Sequence, residues 1–208
     1  MEWYLPGDVV GSFGALRQGK SMNAARLAFM HGLRYRMPVI ANVDTIFGTR
    51  ITHIEDFLDA RQSVIWFDET QATLDSRDFK NNIRLTQELI YLGKDGNIVF
   101  YTSPHIDMVD KRLRAITTYY YVAEKLRSGS GGLSMVTRFR FNGVTTVGKR
   151  GSFILRHRKW GQLYATLDKR VHLAWRDAEG ESGVGGVKRP APARQRGRAA
   201  PTASDWEN

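Results

Sequence analysis

The segment Gly14-Ala15-Leu16-Arg17-Gln18-Gly19-Lys20-Ser21 constrains this chain more than any other. It fits the pattern G-x-x-x-x-G-K-[ST] at every fixed position, and it lies between a short strand-like stretch, Asp8 to Ser12, and a helix-like one, Ser21 to Arg36. That context is the one in which the pattern has a mechanical meaning. Glycines let successive backbone N–H groups close around phosphate oxygens. The start of the helix adds its partial positive charge. Lys20 neutralises the β- and γ-phosphates, and the Ser21 hydroxyl ligates Mg²⁺. Gly14, Ala15, Leu16, Arg17, Gln18, Gly19, Lys20, Ser21 and Met22 are therefore the expected nucleotide-binding residues, with ATP and Mg²⁺ as cofactors.

A second element completes the chemistry. Val64-Ile65-Trp66-Phe67 is a continuous apolar run that ends abruptly in Asp68-Glu69. In an open α/β sheet, ligands bind at the carboxyl ends of the strands. Asp68 is expected to hold the Mg²⁺ through water, and Glu69 to act as general base on the attacking water. A further run, Asn97 to Tyr101, leads into Thr102-Ser103-Pro104. If its strand lies between the phosphate loop and the strand of the acids, Thr102 or Ser103 stands beside the γ-phosphate. An ordinary turn closed by the proline is the competing reading.

The fold class follows from the spacing of these runs. Pro38 to Val43, Ser63 to Phe67 and Asn97 to Tyr101 alternate with helix-like segments at Ser21 to Arg36, Ile54 to Arg61 and Asn82 to Gly93. Met22, Ala25, Phe29 and Leu33 form the apolar stripe of the first helix. Short apolar runs without alternation point to a parallel sheet covered on both faces. Past residue 115 the texture changes. Ile116 to Val122, Thr137 to Phe141, Ser152 to Arg158 and Gln162 to Thr166 read as strands, with Gly129 to Gly132 as a loop and Asn142-Gly143 as a turn. These are expected to be antiparallel. In Arg138-Phe139-Arg140-Phe141 the aromatics are expected inward, and the arginines either solvated or on a phosphate backbone.

The 208 residues fit one domain with an appendage. We expect an ATPase domain over 1–177, with a core at 8–115 and a β-rich extension at 116–177, and a disordered Gly/Pro/Arg-rich tail over 178–208. The net charge of +10 is unevenly spread. Residues 1–110 carry 11 basic and 14 acidic side chains, residues 111–177 carry 15 and 3, and residues 178–208 carry 5 and 4. The excess thus sits in the extension, where it suits a polyanion. The absence of cysteine removes disulfides, thiolate metal sites and thiol nucleophiles. The five histidines show no paired metal spacing. No apolar run reaches the roughly 18 residues of a membrane span, and Met1-Glu2-Trp3-Tyr4 lacks the features of a signal peptide. A soluble, cytoplasmic location is expected.

With these residues assembled, the chain resembles the FtsK–HerA group of P-loop ATPases. Within that group it looks like the genome-packaging ATPases of tailless icosahedral phages and the zonula occludens toxin-like phage ATPases. The resemblance spans about residues 8–168. It rests on the phosphate loop, on Val39-Ile40-Ala41-Asn42-Val43, on Phe67-Asp68-Glu69-Thr70-Gln71 with Arg77, and on Gly93 to Pro104 running into Asp110-Lys111-Arg112-Leu113-Arg114. Leu163-Tyr164-Ala165-Thr166 adds a closing motif.

The resemblance implies a P-loop fold of the additional-strand, catalytic-glutamate type. It implies a homo-oligomeric ring, hexamer or pentamer, with sites shared between subunits. It also implies double-stranded DNA bound without sequence specificity, and a capsid vertex or membrane-associated packaging proteins as partners, in the host cytoplasm. Loops near Thr73 to Lys80, or the basic extension, are then expected to face the DNA. Two positions depart from the pattern. Ser103 stands where the family carries a sensor glutamine, and Lys94 where it carries the arginine that reaches into the neighbouring site. Lysine is a point charge rather than a planar fork, so Arg84, Arg112 and Arg114 compete with Lys94 for that role. The reading is a DNA-translocating ATPase that packages a viral genome. The alternatives are DNA extrusion or conjugative transfer by the same engine, or a non-hydrolysing nucleic-acid-binding capsid protein.

Overall fold

The structure is a computed structural model that describes residues 3–70, 91, 95–127, 132–141 and 146–163. Strand β1 (Val9–Phe13) is buried along its whole length and leads through the phosphate loop into helix α1 (Lys20–Tyr35). Strands β2 (Val39–Ala41) and β3 (Thr49–Arg50), the short helix α2 (Ile54–Leu58), and strands β4 (Val64–Phe67) and β5 (Ile98–Ser103) follow. A single 3₁₀ turn and helix α3 (Lys111–Ile116) then return the chain to β6 (Tyr119–Arg127), β7 (Leu133–Phe141) and β8 (Thr146–Arg156). A helical turn, α4 (His157–Trp160), and a 3₁₀ turn at Gly161–Leu163 close the described part.

All eight strands form one sheet, in the order β3-β2-β4-β5-β1-β6-β7-β8. From β3 through β6 every neighbour is parallel, and the β6–β7 and β7–β8 pairs are antiparallel. This is the mostly parallel α/β sheet that the apolar runs predict. The runs are continuous because both faces are covered. Val10, Val64, Trp66, Ile98 and Phe100 point to the α1 side, where they meet Ala24, Ala28 and Phe29. Val9, Phe13, Ile65, Phe67, Val99 and Tyr101 point the other way, onto Phe57 of α2 and Leu113 of α3. The period of two within each strand divides one run between two cores. Each fully buried large side chain in them contributes about 1.5–3 kcal/mol.

Several expectations are corrected. Strand β6 is parallel to β1, pairing Val10 with Tyr119 and Phe13 with Val122, so the antiparallel part begins only at β7. The reason is α3, a crossover that carries the chain back to the starting end of β1 before β6 begins. The strand expected through Arg158 ends at Arg156, and residues 157–163 are helical rather than extended. There Trp160 and Leu163 turn into the α1-side core. Leu33, placed on the apolar stripe of α1, is 43% exposed, and in that last turn His31, Gly32 and Tyr35 face the core instead. Apart from Tyr91, which is helical, the helix at 82–93, with most of the loop at 129–132, the turn at 142–143, the strand residues 164–166 and the tail at 178–208, lies outside the described residues. Among the described residues no helix is long and apolar enough to cross a membrane.

Candidate active site

Strand β1 delivers the chain to the carboxyl end of the sheet and releases it into the loop 14–19. Gly14 has φ +150°, and a Cβ there would lie 2.7 Å from the Ala123 carbonyl oxygen of β6. Gly19 has φ +102°, and its Cβ would lie 2.8 Å from Ser134 Oγ of β7. The loop is thus pressed against the two strands that follow the crossover, and no side chain fits between. Ser134 Oγ is itself fixed by a 2.7 Å hydrogen bond with His157 Nε2. The Gln18 side-chain oxygen accepts from the Lys125 N–H and ties the loop to β6. Arg17 sits at φ +63°, exposed with Ala15 and Leu16. Helix α1 begins at Lys20, so its free N–H groups open onto the loop, the arrangement that binds anions. Ser12 Oγ donates to the Lys20 carbonyl at 3.1 Å and anchors that first turn. Lys20, Ser21 and Met22 are buried behind it.

The acids arrive from β4. Strand β5 lies between β4 and β1, the insertion on which the Thr102/Ser103 expectation depends. The register pairs Phe67 with Tyr101 and Ser12 with Thr102, and so sets Thr102 beside Asp68. Thr102 Oγ1 donates to Asp68 Oδ1 at 2.7 Å and accepts from the Glu69 N–H at 2.9 Å. Thr70 Oγ1 donates to the Thr102 carbonyl at 2.5 Å. From the other side Asn42, just past β2, grips the backbone of Asp68 twice. Its Oδ1 accepts from Asp68 N–H at 2.7 Å, and its Nδ2 donates to the Asp68 carbonyl at 2.9 Å.

Glu69 is held at φ +53°, a left-handed conformation that costs a non-glycine residue about 1–3 kcal/mol. In that conformation its carboxylate meets Lys20, with Nζ 2.7 Å from Oε1. Both residues are buried, at 4% and 6% exposure, so the contact is not a screened surface pair. A buried ammonium, a buried hydroxyl on Ser21 and two buried carboxylates therefore converge at one end of the sheet. The hydroxyl and carboxylate oxygens are the donor set of a hard divalent cation. The ammonium and the helix N-terminus suit phosphate.

Ser103 turns away from the acids and donates from Oγ to the His105 carbonyl at 3.1 Å. Arg112 and Arg114 sit on α3. The Arg112 N–H caps onto Asp110 Oδ1 at 2.8 Å, and Arg114 Nη1 pairs with Asp107 Oδ1 at 3.2 Å on the surface. Lys94, Arg84, Arg77 and the loop 73–80 lie outside the described residues. In β7, Arg138 is buried at 7% exposure, with its guanidinium 5.5 Å from the Tyr119 ring, whereas Arg140 is exposed. Phe141 is buried and Phe139 stacks on Tyr120 at 5.0 Å. Sequence reasoning did not reach the Asn42 clamp or the Ser134–His157 support under Gly19. Asn42 carries a visible signal, an amide directly after an apolar strand. Ser134 and His157 carry none.

No protein-family model matches the chain. No curated protein matches it either. Among solved structures it is similar to an isolated ATPase domain, at 10% identity over 79% of this chain and 86% of that one, with a TM-score of 0.50. It is also similar to the N-terminal domain of zonular occludens toxin from Neisseria meningitidis, at 14% identity over 76% and 99% of the two chains, with a TM-score of 0.49. The genome-packaging NTPase B204 of Sulfolobus turreted icosahedral virus 2, in complex with AMP, matches at 10% identity over 70% and 98%, with a TM-score of 0.47. Together with the strand order and the loop, the first of these likenesses gives the chain the fold of the P-loop nucleoside triphosphatases.

Proposed function

We propose that the chain hydrolyses ATP and uses the cycle to drive double-stranded DNA into a preformed viral capsid. The observation that carries the hydrolytic part is the buried 2.7 Å contact between Lys20 and Glu69. Without nucleotide each of these groups supplies the other's counter-charge. A γ-phosphate entering the loop offers Lys20 a stronger anion, and Glu69 is then free to polarise a water for in-line attack. Ser21 and Asp68 would hold Mg²⁺, which would offset the charge of the phosphates. Thr102 keeps Asp68 and the Glu69 backbone in fixed relation, and so reports the state of the γ-phosphate to β5.

The translocation part rests on the family resemblance and on charge. The 15 basic against 3 acidic side chains of residues 111–177 suit a phosphate backbone read without sequence. In a ring, Lys94, Arg84, Arg112 or Arg114 of one subunit would complete the site of the next, and residues 1–177 would form the ATPase unit with 178–208 as an appended tail.

The test is steady-state ATP hydrolysis by the wild type and by Glu69→Gln, without DNA and with single- or double-stranded DNA, at two salt concentrations. Stimulation by double-stranded DNA that fades with salt is expected. The variant should bind nucleotide with unchanged affinity and turn over at least 100-fold more slowly, the scale of a lost general base. Preference for single strands would replace packaging by extrusion. Equal loss of binding and turnover in the variant would make Glu69 a structural residue.

A further inference from the structure

A second basic site lies outside the loop and the acids. Between α1 and strands β6 to β8 is a cavity of about 420 Å³, lined among others by Arg26, Tyr121, Arg138, Arg150, Ser152 and Phe153. None of Gly14 to Ser21, Asp68 or Glu69 lines it. Arg26 projects from the middle of α1 and is buried, at 8% exposure. Its Nη2 makes one long bond, 3.3 Å to Asn23 Oδ1, and its Nε is buried without a hydrogen-bond partner. Its guanidinium lies 4.6 Å from the centre of the Phe153 ring. Arg138 reaches the same space and donates to the Arg150 carbonyl at 3.4 Å. Burial pulls the Arg26 guanidinium below its usual value, and burial with Arg150 alongside does the same to Arg138. Among the described residues no Asp or Glu forms an ion pair with Arg26 or Arg150.

Like charges gathered in a partly desolvated cavity are costly unless an anion joins them. Guanidinium forks match phosphate oxygens bidentately. The Ser152 hydroxyl, paired with Thr137 Oγ1 at 2.9 Å, lines the cavity, and Phe153 with the Tyr121 ring supplies an apolar wall. The volume falls in the range of small-molecule sites. We infer that this cavity is a second anion site, built to take a phosphate monoester on a small organic body. Arg26 and Arg138 are its floor and Arg150, which is exposed, its mouth. The phosphate comes either from a free sugar phosphate or nucleotide, or from the phosphorylated end of a nucleic-acid strand.

Thermal denaturation of the full chain tests this with ribose 5-phosphate as probe, and with ribose and with sodium chloride at matched ionic strength as controls. Ribose 5-phosphate at about 100 times its Kd should raise the melting temperature by about 5 °C or more, in the wild type and in Lys20→Ala alike, and the controls should not. Arg150→Gln, an exposed change, should weaken the affinity at least 10-fold, which cuts the rise to about half or less at that concentration, and Arg26→Met should abolish it. A parallel arm compares a tetranucleotide with and without a 5′-phosphate. A larger shift for the phosphorylated strand than for the sugar phosphate assigns the site to strand ends, and the reverse assigns it to free metabolites. The inference is overturned if neither probe raises the melting temperature, if the rise is undiminished in Arg150→Gln, or if it disappears in Lys20→Ala. The last result would place the phosphate in the loop instead. If Arg26→Met does not fold, Arg150→Gln alone decides.

Discussion

Replacing Thr102 by valine removes one hydroxyl and almost no volume. The residue is fully buried, and its Oγ1 stands between Asp68 Oδ1 at 2.7 Å and the Glu69 N–H at 2.9 Å. Valine keeps the shape of the strand and cannot answer either group. The bond to the carboxylate is charge-assisted and contributes about 1.5–3 kcal/mol, and a buried N–H left unpaired costs about 1–3 kcal/mol. The expected loss is therefore about 4 kcal/mol, a large part of the roughly 5–15 kcal/mol that holds a domain folded. Thr102→Ser keeps the hydroxyl and loses only a methyl, for about 1 kcal/mol. Urea denaturation followed by tryptophan fluorescence, without nucleotide, separates the two. The midpoint should fall steeply for valine and slightly for serine, with the slope unchanged in both. A valine variant within about 0.5 kcal/mol of the wild type, or a serine variant as unstable as valine, would refute the reasoning.

Lys20→Ala should abolish ATP hydrolysis and also leave the Glu69 carboxylate buried without its 2.7 Å partner. A loss of stability of about 3–5 kcal/mol is expected, read by the same denaturation, and Lys20→Ala with Glu69→Gln together should recover part of it. Gly19→Ala should lower both stability and nucleotide affinity, since φ +102° and a contact of 2.8 Å with Ser134 Oγ oppose a Cβ. Calorimetric titration with an ATP analogue checks it, and unchanged affinity would count against the loop geometry. His31 gives a pH dependence. It is fully buried, accepts from the Tyr4 N–H at 2.9 Å and meets the Leu27 carbonyl at 2.8 Å, and burial pushes its pKa down to about 4. Between pH 6.5 and 4 the unfolded chain takes up a proton that the folded chain refuses. Stability is therefore complete above pH 6.5 and falls by about 1.4 kcal/mol per pH unit toward pH 4. Denaturation at pH 7, 6 and 5 should show this slope, and His31→Gln should flatten it.

The parts of the molecule legible from sequence are those whose local pattern is also their environment. Val64 to Phe67 and Ile98 to Tyr101 are apolar throughout because both faces are covered, and the loop 14–21 needs its glycines wherever it occurs. Strand direction is different. Nothing between residues 116 and 122 says that β6 runs parallel to β1; that depends on where α3 delivers the chain. Thr102 and Ser103 are neighbours with the same chemistry, and only the register of β5 against β4 decides which hydroxyl meets Asp68. Ser152 to Arg158 reads as one strand, yet the chain coils from His157 so that Trp160 reaches the α1-side core. Arg138 reads as either solvated or on a phosphate backbone and is buried, sharing a cavity with residues of α1 and β8, a tertiary fact with no trace in the spacing of β7.

Strand β1 has β5 on one side and β6 on the other. The loop it feeds is clasped by Ala123, Lys125 and Ser134 from the basic half and linked through the Lys20–Glu69 contact to the acidic end of β4. On the proposed function, the nucleotide site and the DNA-facing strands are then parts of one sheet. A shift of a few tenths of an ångström in the phosphate loop meets backbone, not slack, and close-packed interiors of this kind pass strain on rather than absorb it. On the proposed function, a displacement at the nucleotide reaches β6 and β7 through these contacts.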